Sequence, residues 1–160
     1  MIRVAILTIS DKGSKGERED KSGKIIEEML SDINGKKVYY QVIPDEFEEI
    51  REALFNLSER NIADLILTTG GTGFAERDIT PEATEDVIEK DVPGLAEAMR
   101  RKTAEITPMA ILSRAKAGIR KKSLIVNLPG SPKAARECLE SIMDVIPHGI
   151  EILKGEVTEH

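Results

Sequence analysis

Twice along this chain a short apolar run ends in a glycine-containing turn that feeds a helix start, and this repeated unit restricts the fold more than any other feature. The first copy is Leu65-Ile66-Leu67-Thr68-Thr69, then Gly70-Gly71-Thr72-Gly73, then Thr80-Pro81. The second is Ser123-Leu124-Ile125-Val126-Asn127-Leu128, then Pro129-Gly130, then Ser131-Pro132. A brief apolar run without polar alternation suits a strand buried on both faces of a parallel sheet. Threonine or serine offers an N-cap oxygen, and proline in the first turn gives up only an N–H that has no helical partner. Both copies therefore predict strand, turn and helix, in a sheet covered by helices on each side.

Three glycines in four residues permit positive φ angles and let a ligand approach backbone N–H groups with no Cβ in the way. A phosphate is the natural guest, and the helix N-terminus behind the turn is a second anion site. An ordinary βα turn has the same composition. Two features favour the ligand cradle: Asp78 lies between the glycines and the helix start, and the whole unit recurs. In an open α/β sheet, ligands sit beyond the carboxyl ends of the strands near the topological switch point, so two such ends frame one pocket.

The remaining segments complete the alternation. Arg3 to Ser10 reads as the first strand, Asp11 to Lys21 as a polar loop, and Ser22 to Ile33 as a helix stopped at Asn34-Gly35. Lys37 to Ile43 alternates into a second strand, after which Phe47, Ile50, Leu54 and Leu57 recur at helical spacing. Pro81 to Lys90 reads as a helix, Val92-Pro93-Gly94 as a break, and Ala96, Met99 and Thr103 as the inner face of another helix. Ile111 to Ile119 reads as extended, turning at Arg120-Lys121-Lys122 into Ser123 to Leu128 as the one antiparallel element. Leu139, Ile142, Met143 and Ile146 line a further helix, and Gly149 to Lys154 forms a closing segment. The predicted fold is one domain over residues 1–160, a three-layer, doubly wound α/β structure with a mostly parallel sheet.

At 160 residues the chain can bury a core without disulfide staples. Its formal charge of −6 argues against general nucleic-acid binding, which needs a basic face. Cys138, the only cysteine, falls in an apolar helical stripe and reads as a buried thiol. Met1 runs directly into the strand-like Ile2 to Leu7, with no signal-peptide pattern, and no apolar stretch nears the ~20 residues of a membrane span. A soluble cytoplasmic protein with no membrane partner is expected.

Several chemistries drop out. There is no Gly-x-x-x-x-Gly-Lys-Ser/Thr loop and no strand-led Gly-x-Gly-x-x-Gly fingerprint. His148 and His160 stand apart from any Cys/His cluster, one near a helix end and one in the tail, which argues against zinc and histidine catalysis. What remains are carboxylates at three strand ends, Asp11, Asp45 and Asp78. Each can serve as a turn cap, or together they can face one crevice and share Mg²⁺ with substrate phosphates. Arg114, Lys116, Arg120, Lys121 and Lys122 form a basic group that reads as a solvated hairpin edge. Arg114, beside Ser113, is the member set apart as a phosphate ligand. Glu17-Arg18-Glu19-Asp20 reads as a mobile polar segment, with a lid as the second reading.

Taken together, Thr8-Ile9-Ser10-Asp11, Ile43-Pro44-Asp45-Glu46, Thr68 to Gly73, Arg77 to Thr84, Ala110 to Arg114 and Asn127 to Pro132 resemble the Mog/MoaB-type molybdopterin adenylyltransferases of molybdenum cofactor biosynthesis, relatives of the gephyrin G domain. The resemblance spans nearly the whole chain. It implies a homotrimeric enzyme that transfers AMP from Mg-ATP to the terminal phosphate of molybdopterin, releases pyrophosphate and prepares the dithiolene for metal insertion, with a separate insertion partner left open. It further implies that Asp45 and Asp78 are the catalytic aspartates and hold Mg²⁺. By the same resemblance, Thr69, Gly70, Gly71, Thr72 and Gly73 form one pocket loop, and Asn127, Leu128, Pro129, Gly130 and Ser131 the other. Ser10, Asp11, Ser113 and Arg114 are further lining. Glu76 stands where some members carry Pro or Arg, adding negative charge near a site for anions. Two other readings use the same fold: a carrier that binds molybdopterin without transferring AMP, and a trimeric scaffold, which the chain's lack of a linker or appended domain disfavours.

Overall fold

The computed structural model describes residues 1–157; His160 lies outside them. The strands are β1 (Ile2–Ile9), β2 (Gly35–Ile43), β3 (Leu65–Thr69), β4 (Lys90–Asp91), β5 (Ala117–Arg120) and β6 (Ser123–Leu128). They form one sheet in the order β2-β1-β3-β6-β5-β4. Pairings from β2 through β6 are parallel, and β5 runs antiparallel to both β6 and β4. Thus β5 is the one strand that opposes the others, as expected, while the short β4 on its outer side was not foreseen. No helix among the described residues is long and apolar enough to cross a membrane.

The helices are α1 (Asp11–Ser14), α2 (Lys21–Met29), α3 (Phe47–Glu59), α4 (Thr80–Val87), α5 (Pro93–Ala104), α6 (Pro132–Ile142) and α7 (Ile146–Leu153). Strand β1 shows how three layers arise from a period of two. Val4 and Ile6 join one core with Ile26 and Met29 of α2 and Leu139 and Ile142 of α6. Ala5, Leu7 and Ile9 join the other with Ile50, Leu54 and Leu57 of α3 and Ala83 and Val87 of α4. A slip of one residue would exchange the two faces, so both cores fix the register. Full burial of each Ile or Leu contributes roughly 1.5–3 kcal/mol, and Ile6, Leu7, Leu65, Ile66 and Leu67 are all fully buried.

Several local expectations are corrected. Asp11–Ser14 is a helical turn, because the Ser10 side chain accepts from the Gly13 N–H. The expected break between helices lies earlier than Val92-Pro93-Gly94, because Pro93-Gly94 already forms the first turn of α5, where proline is compatible. Ile111 and Leu112, expected to be extended, close a 3-10 helix over Pro108–Leu112 that starts with the Thr107 hydroxyl accepting from Met109 N–H. Gly149 to Lys154 belongs largely to α7, which takes Ile146 from the preceding helix. The basic hairpin is solvated at its turn, where Lys121 and Lys122 are exposed, but β5 is not an edge strand. Lys116 pairs with Glu85, Arg120 with Glu59, and β4 covers the outer side of β5. Cys138 is buried on α6, and burial pushes its thiol up to about 11.

Candidate active site

The chain leaves β1 for β2 on one side and then crosses to β3 on the other, which puts the switch point between β1 and β3. Loops leaving the two strands diverge there. The resulting crevice measures about 900 Å³. Ser10 and Asp11 line it from the end of β1, Asp45 from β2, Thr69, Gly70, Gly71 and Asp78 from β3, and Gly130 and Ser131 from β6.

Two glycines make this closeness sterically feasible. Gly70 has φ +110°, its N–H donates to Leu128 at 3.0 Å, and a Cβ there would lie 2.3 Å from the Ile9 carbonyl oxygen. Gly71 has φ +71°, and its Cβ would lie 2.3 Å from the Thr80 hydroxyl. Neither position accommodates a side chain. The second loop closes against the first: a Cβ on Gly130 would stand 3.3 Å from the Gly70 Cα. Thr69 donates to the Pro129 carbonyl at 2.7 Å and Ser22 to the Gly130 carbonyl at 2.6 Å, so the loop is held from both sides.

The acids are tied to one another. Asp11 N–H donates to Asp45 Oδ2 at 3.1 Å, and Asp45 N–H donates to Asp11 Oδ1 at 3.0 Å. Arg77 forks onto both oxygens of Asp11, at 2.7 and 3.0 Å, and reaches Glu46 at 2.8 Å. That hydrogen bonding holds the Asp11 carboxyl below its ordinary range, whereas burial and the charges of Asp11 and Asp78 push Asp45 up. Asp78 accepts from the Ala75 N–H at 2.9 Å and shapes its own turn. Hard Mg²⁺ takes oxygen ligands and usually combines one or two carboxylates with substrate phosphates. Asp45, held up by neighbouring negative charge, and Asp78 on the same crevice fit that need. Among the described residues no three acidic, His or Cys side chains enclose a metal unaided.

Other residues expected at the site lie beside it. Thr72, Gly73, Ser113 and Pro129 line a separate apolar cavity of about 270 Å³ beneath Pro108–Leu112. Arg114 donates to the carbonyls of Gly73 and Asp78 at 2.8 and 2.7 Å and to Glu82 at 2.5 Å, and thereby braces the loop after β3. Asn127 is buried, donates to the hydroxyls of Thr68 and Thr84 and accepts from the Lys116 N–H. Leu128 packs in the core. Ser131, which does line the crevice, also caps α6 by accepting from Ala134 N–H.

Three features escaped the sequence reading. Asp20 is fixed, not mobile: it caps α2 by accepting from Gly23 N–H, and it accepts from the hydroxyls of Thr8 and Tyr40. Burial, then Asp20, pushes the Tyr40 phenol up to about 12. Aspartate three residues before Gly23 was a legible capping signal. Thr80 is the first helical residue and caps nothing; its hydroxyl is buried without a partner. Arg77 was quoted only as part of a motif.

A family profile described as "Probable molybdopterin binding domain" matches residues 5–148. The chain belongs to this family. A molybdopterin adenylyltransferase of Helicobacter pylori is 49% identical over 96% of this chain and 89% of its own length. That of Escherichia coli is 41% identical over 99% of this chain and 88% of its own. In structure, the chain is similar to the molybdopterin biosynthesis enzyme MoaB of Thermus thermophilus, with a TM-score of 0.92, 50% identity, and coverage of 97% and 98% of the two chains. Family membership and this structural likeness agree with the doubly wound sheet.

Proposed function

We infer that this protein is an enzyme that adenylylates molybdopterin, transferring AMP from ATP to the terminal phosphate of the pterin and releasing pyrophosphate. The observation that carries the reading is the crevice where Asp45 and Asp78 meet the Gly70-Gly71 turn and the Gly130 loop. The nucleophile is a phosphate oxygen of molybdopterin; its new bond to the α-phosphorus forms as the bond to the bridging α–β oxygen breaks. No protein nucleophile is needed. Such a reaction requires alignment and charge neutralisation, which oriented backbone N–H groups and fixed side chains supply. Asp45 and Asp78 would hold Mg²⁺, which when bound offsets phosphate charge. Ser131, engaged with the Ala134 N–H, fixes the α6 side of the crevice opposite the Gly70-Gly71 turn.

The protein works in the cytoplasm as a homotrimer, and exposed Ile106, Met109, Ile111 and Leu112 around the 3-10 helix supply apolar contact surface. Light scattering that finds a monomer would remove this assignment. The reaction itself is tested by incubating the protein with molybdopterin, ATP and Mg²⁺. Adenylylated molybdopterin and pyrophosphate are expected in equal amounts. Tight pterin binding with neither product would make the protein a carrier.

A further inference from the structure

Arg77 is an exposed arginine, yet its Nε and Nη2 groups are held by carboxylates from two other loops. It sits on the loop after β3, one residue before Asp78, and reaches Asp11 at the end of β1 and Glu46 after β2. Its partner Asp11 lines the crevice and exchanges backbone-to-carboxylate hydrogen bonds with Asp45. The guanidinium therefore offsets carboxylates in the same place where the proposed reaction brings a triphosphate.

We propose that Arg77 is a phosphate-binding residue of adenylyl transfer, parked on Asp11 and Glu46 until the nucleotide arrives and then exchanged onto its leaving pyrophosphate group. This rests on the reading of the site as an adenylyltransferase. Three physical points carry it. A guanidinium fork matches a phosphate as well as it matches a carboxylate, so the exchange conserves geometry. Ion pairs as exposed as these contribute little stability, so leaving Asp11 and Glu46 costs little. The charge on the leaving pyrophosphate grows as the α–β bond breaks, so the attraction strengthens along the reaction. Release of Arg77 also returns the Asp11 carboxylate to the crevice.

Calorimetric titration of Mg-pyrophosphate, without molybdopterin, separates this role from a loop clamp. Arg77→Gln is expected to weaken pyrophosphate binding about tenfold or more. Arg77→Lys, which keeps the charge and loses the fork, falls between. Glu46→Gln removes one competitor for Arg77 and tightens binding severalfold. In the double variant with Arg77→Gln, this gain disappears, because the competition has no object. A clamp predicts weakening in both single variants. Equal affinity in Arg77→Gln and wild type, weakening by Glu46→Gln, or a Glu46→Gln gain that persists without Arg77 would each overturn the proposal. Molybdopterin adenylylation by the wild type is followed in parallel. Pyrophosphate binding that depends on Arg77 without that product would remove the reaction assigned to the crevice and leave an Arg77 anion site.

Discussion

The two loops that face each other across the crevice come from the same sequence device, but they are built to opposite standards. After β6, Ser131 caps α6, Pro132 sits in its first turn, and the carbonyls of Pro129 and Gly130 accept from Thr69 and Ser22. Every part is satisfied. After β3, two glycines take positive φ, helix α4 starts with no side-chain cap, and the Thr80 hydroxyl is buried without a partner. Nearby, Asp45 is held up by burial and by like charges. On the proposed reading of the crevice, the contrast separates a buttress from a binding surface. Unsatisfied groups and crowded charge cost stability in the free protein, and they persist where a ligand offsets them.

Substitutions can break or sharpen that contrast. The largest effect belongs to Asp45→Asn, expected to lower kcat by about a hundredfold or more while the protein becomes slightly more stable at neutral pH. The sign follows from its raised pKa. Ionised Asp45 penalises the folded state above that value, and the penalty fades as pH falls towards the unfolded value of ~3.9. Thermal melts from pH 3.5 to 7 should show the Asn variant gaining most at the upper end. A destabilised variant at pH 7 would remove the idea that Asp45 is held under charge stress. For the same reason, the acid limb of the kcat/KM profile should lie above the ordinary aspartate range.

Next comes Gly71→Ala. Its Cβ meets the Thr80 hydroxyl and its φ is left-handed, so a loss of about 1–3 kcal/mol is expected in urea melts. Gly130→Ala, with its nearest contact at 3.3 Å, should lose less. Equal losses would erase the distinction between the loops. Ser131→Ala should cost about 1 kcal/mol as a lost cap. The smallest effect is Thr80→Val, which removes an orphan hydroxyl and should leave stability unchanged or raise it by up to about 1 kcal/mol. A marked loss there would mean the hydroxyl already has a partner.

Much of this was legible because it is local. The bounds of β6 were read as Ser123 to Leu128 from an unbroken apolar run, and the Ser131 cap followed from Ser-Pro. The analogous Thr-Pro at residues 80–81 misled: Thr80 lies inside the helix, packed against Gly71, and caps nothing. Ile111 and Leu112, read as the start of an extended run, end a 3-10 helix instead, because a short apolar run has no helical period and the geometry here is set by Thr107 and by Arg100 holding the carbonyls of Ser113 and Ala115. Arg114 carries the charge expected of a phosphate ligand, but its partners are carbonyls of a loop some forty residues earlier. Arg77 and Asp11 are 66 residues apart, and no spacing rule links them. Local propensity thus specifies the frame, while the wiring of the crevice depends on which loops the sheet order brings together.

The most direct test of the crevice as a catalytic centre is turnover by Asp78→Asn at saturating molybdopterin and Mg-ATP, alongside its circular dichroism and melting temperature. The amide oxygen can still accept from Ala75 N–H, so the turn is retained. A native spectrum with formation of adenylylated molybdopterin reduced at least a hundredfold is expected. A native spectrum with wild-type turnover would make Asp78 a cap for its own loop and contradict its place in the chemistry.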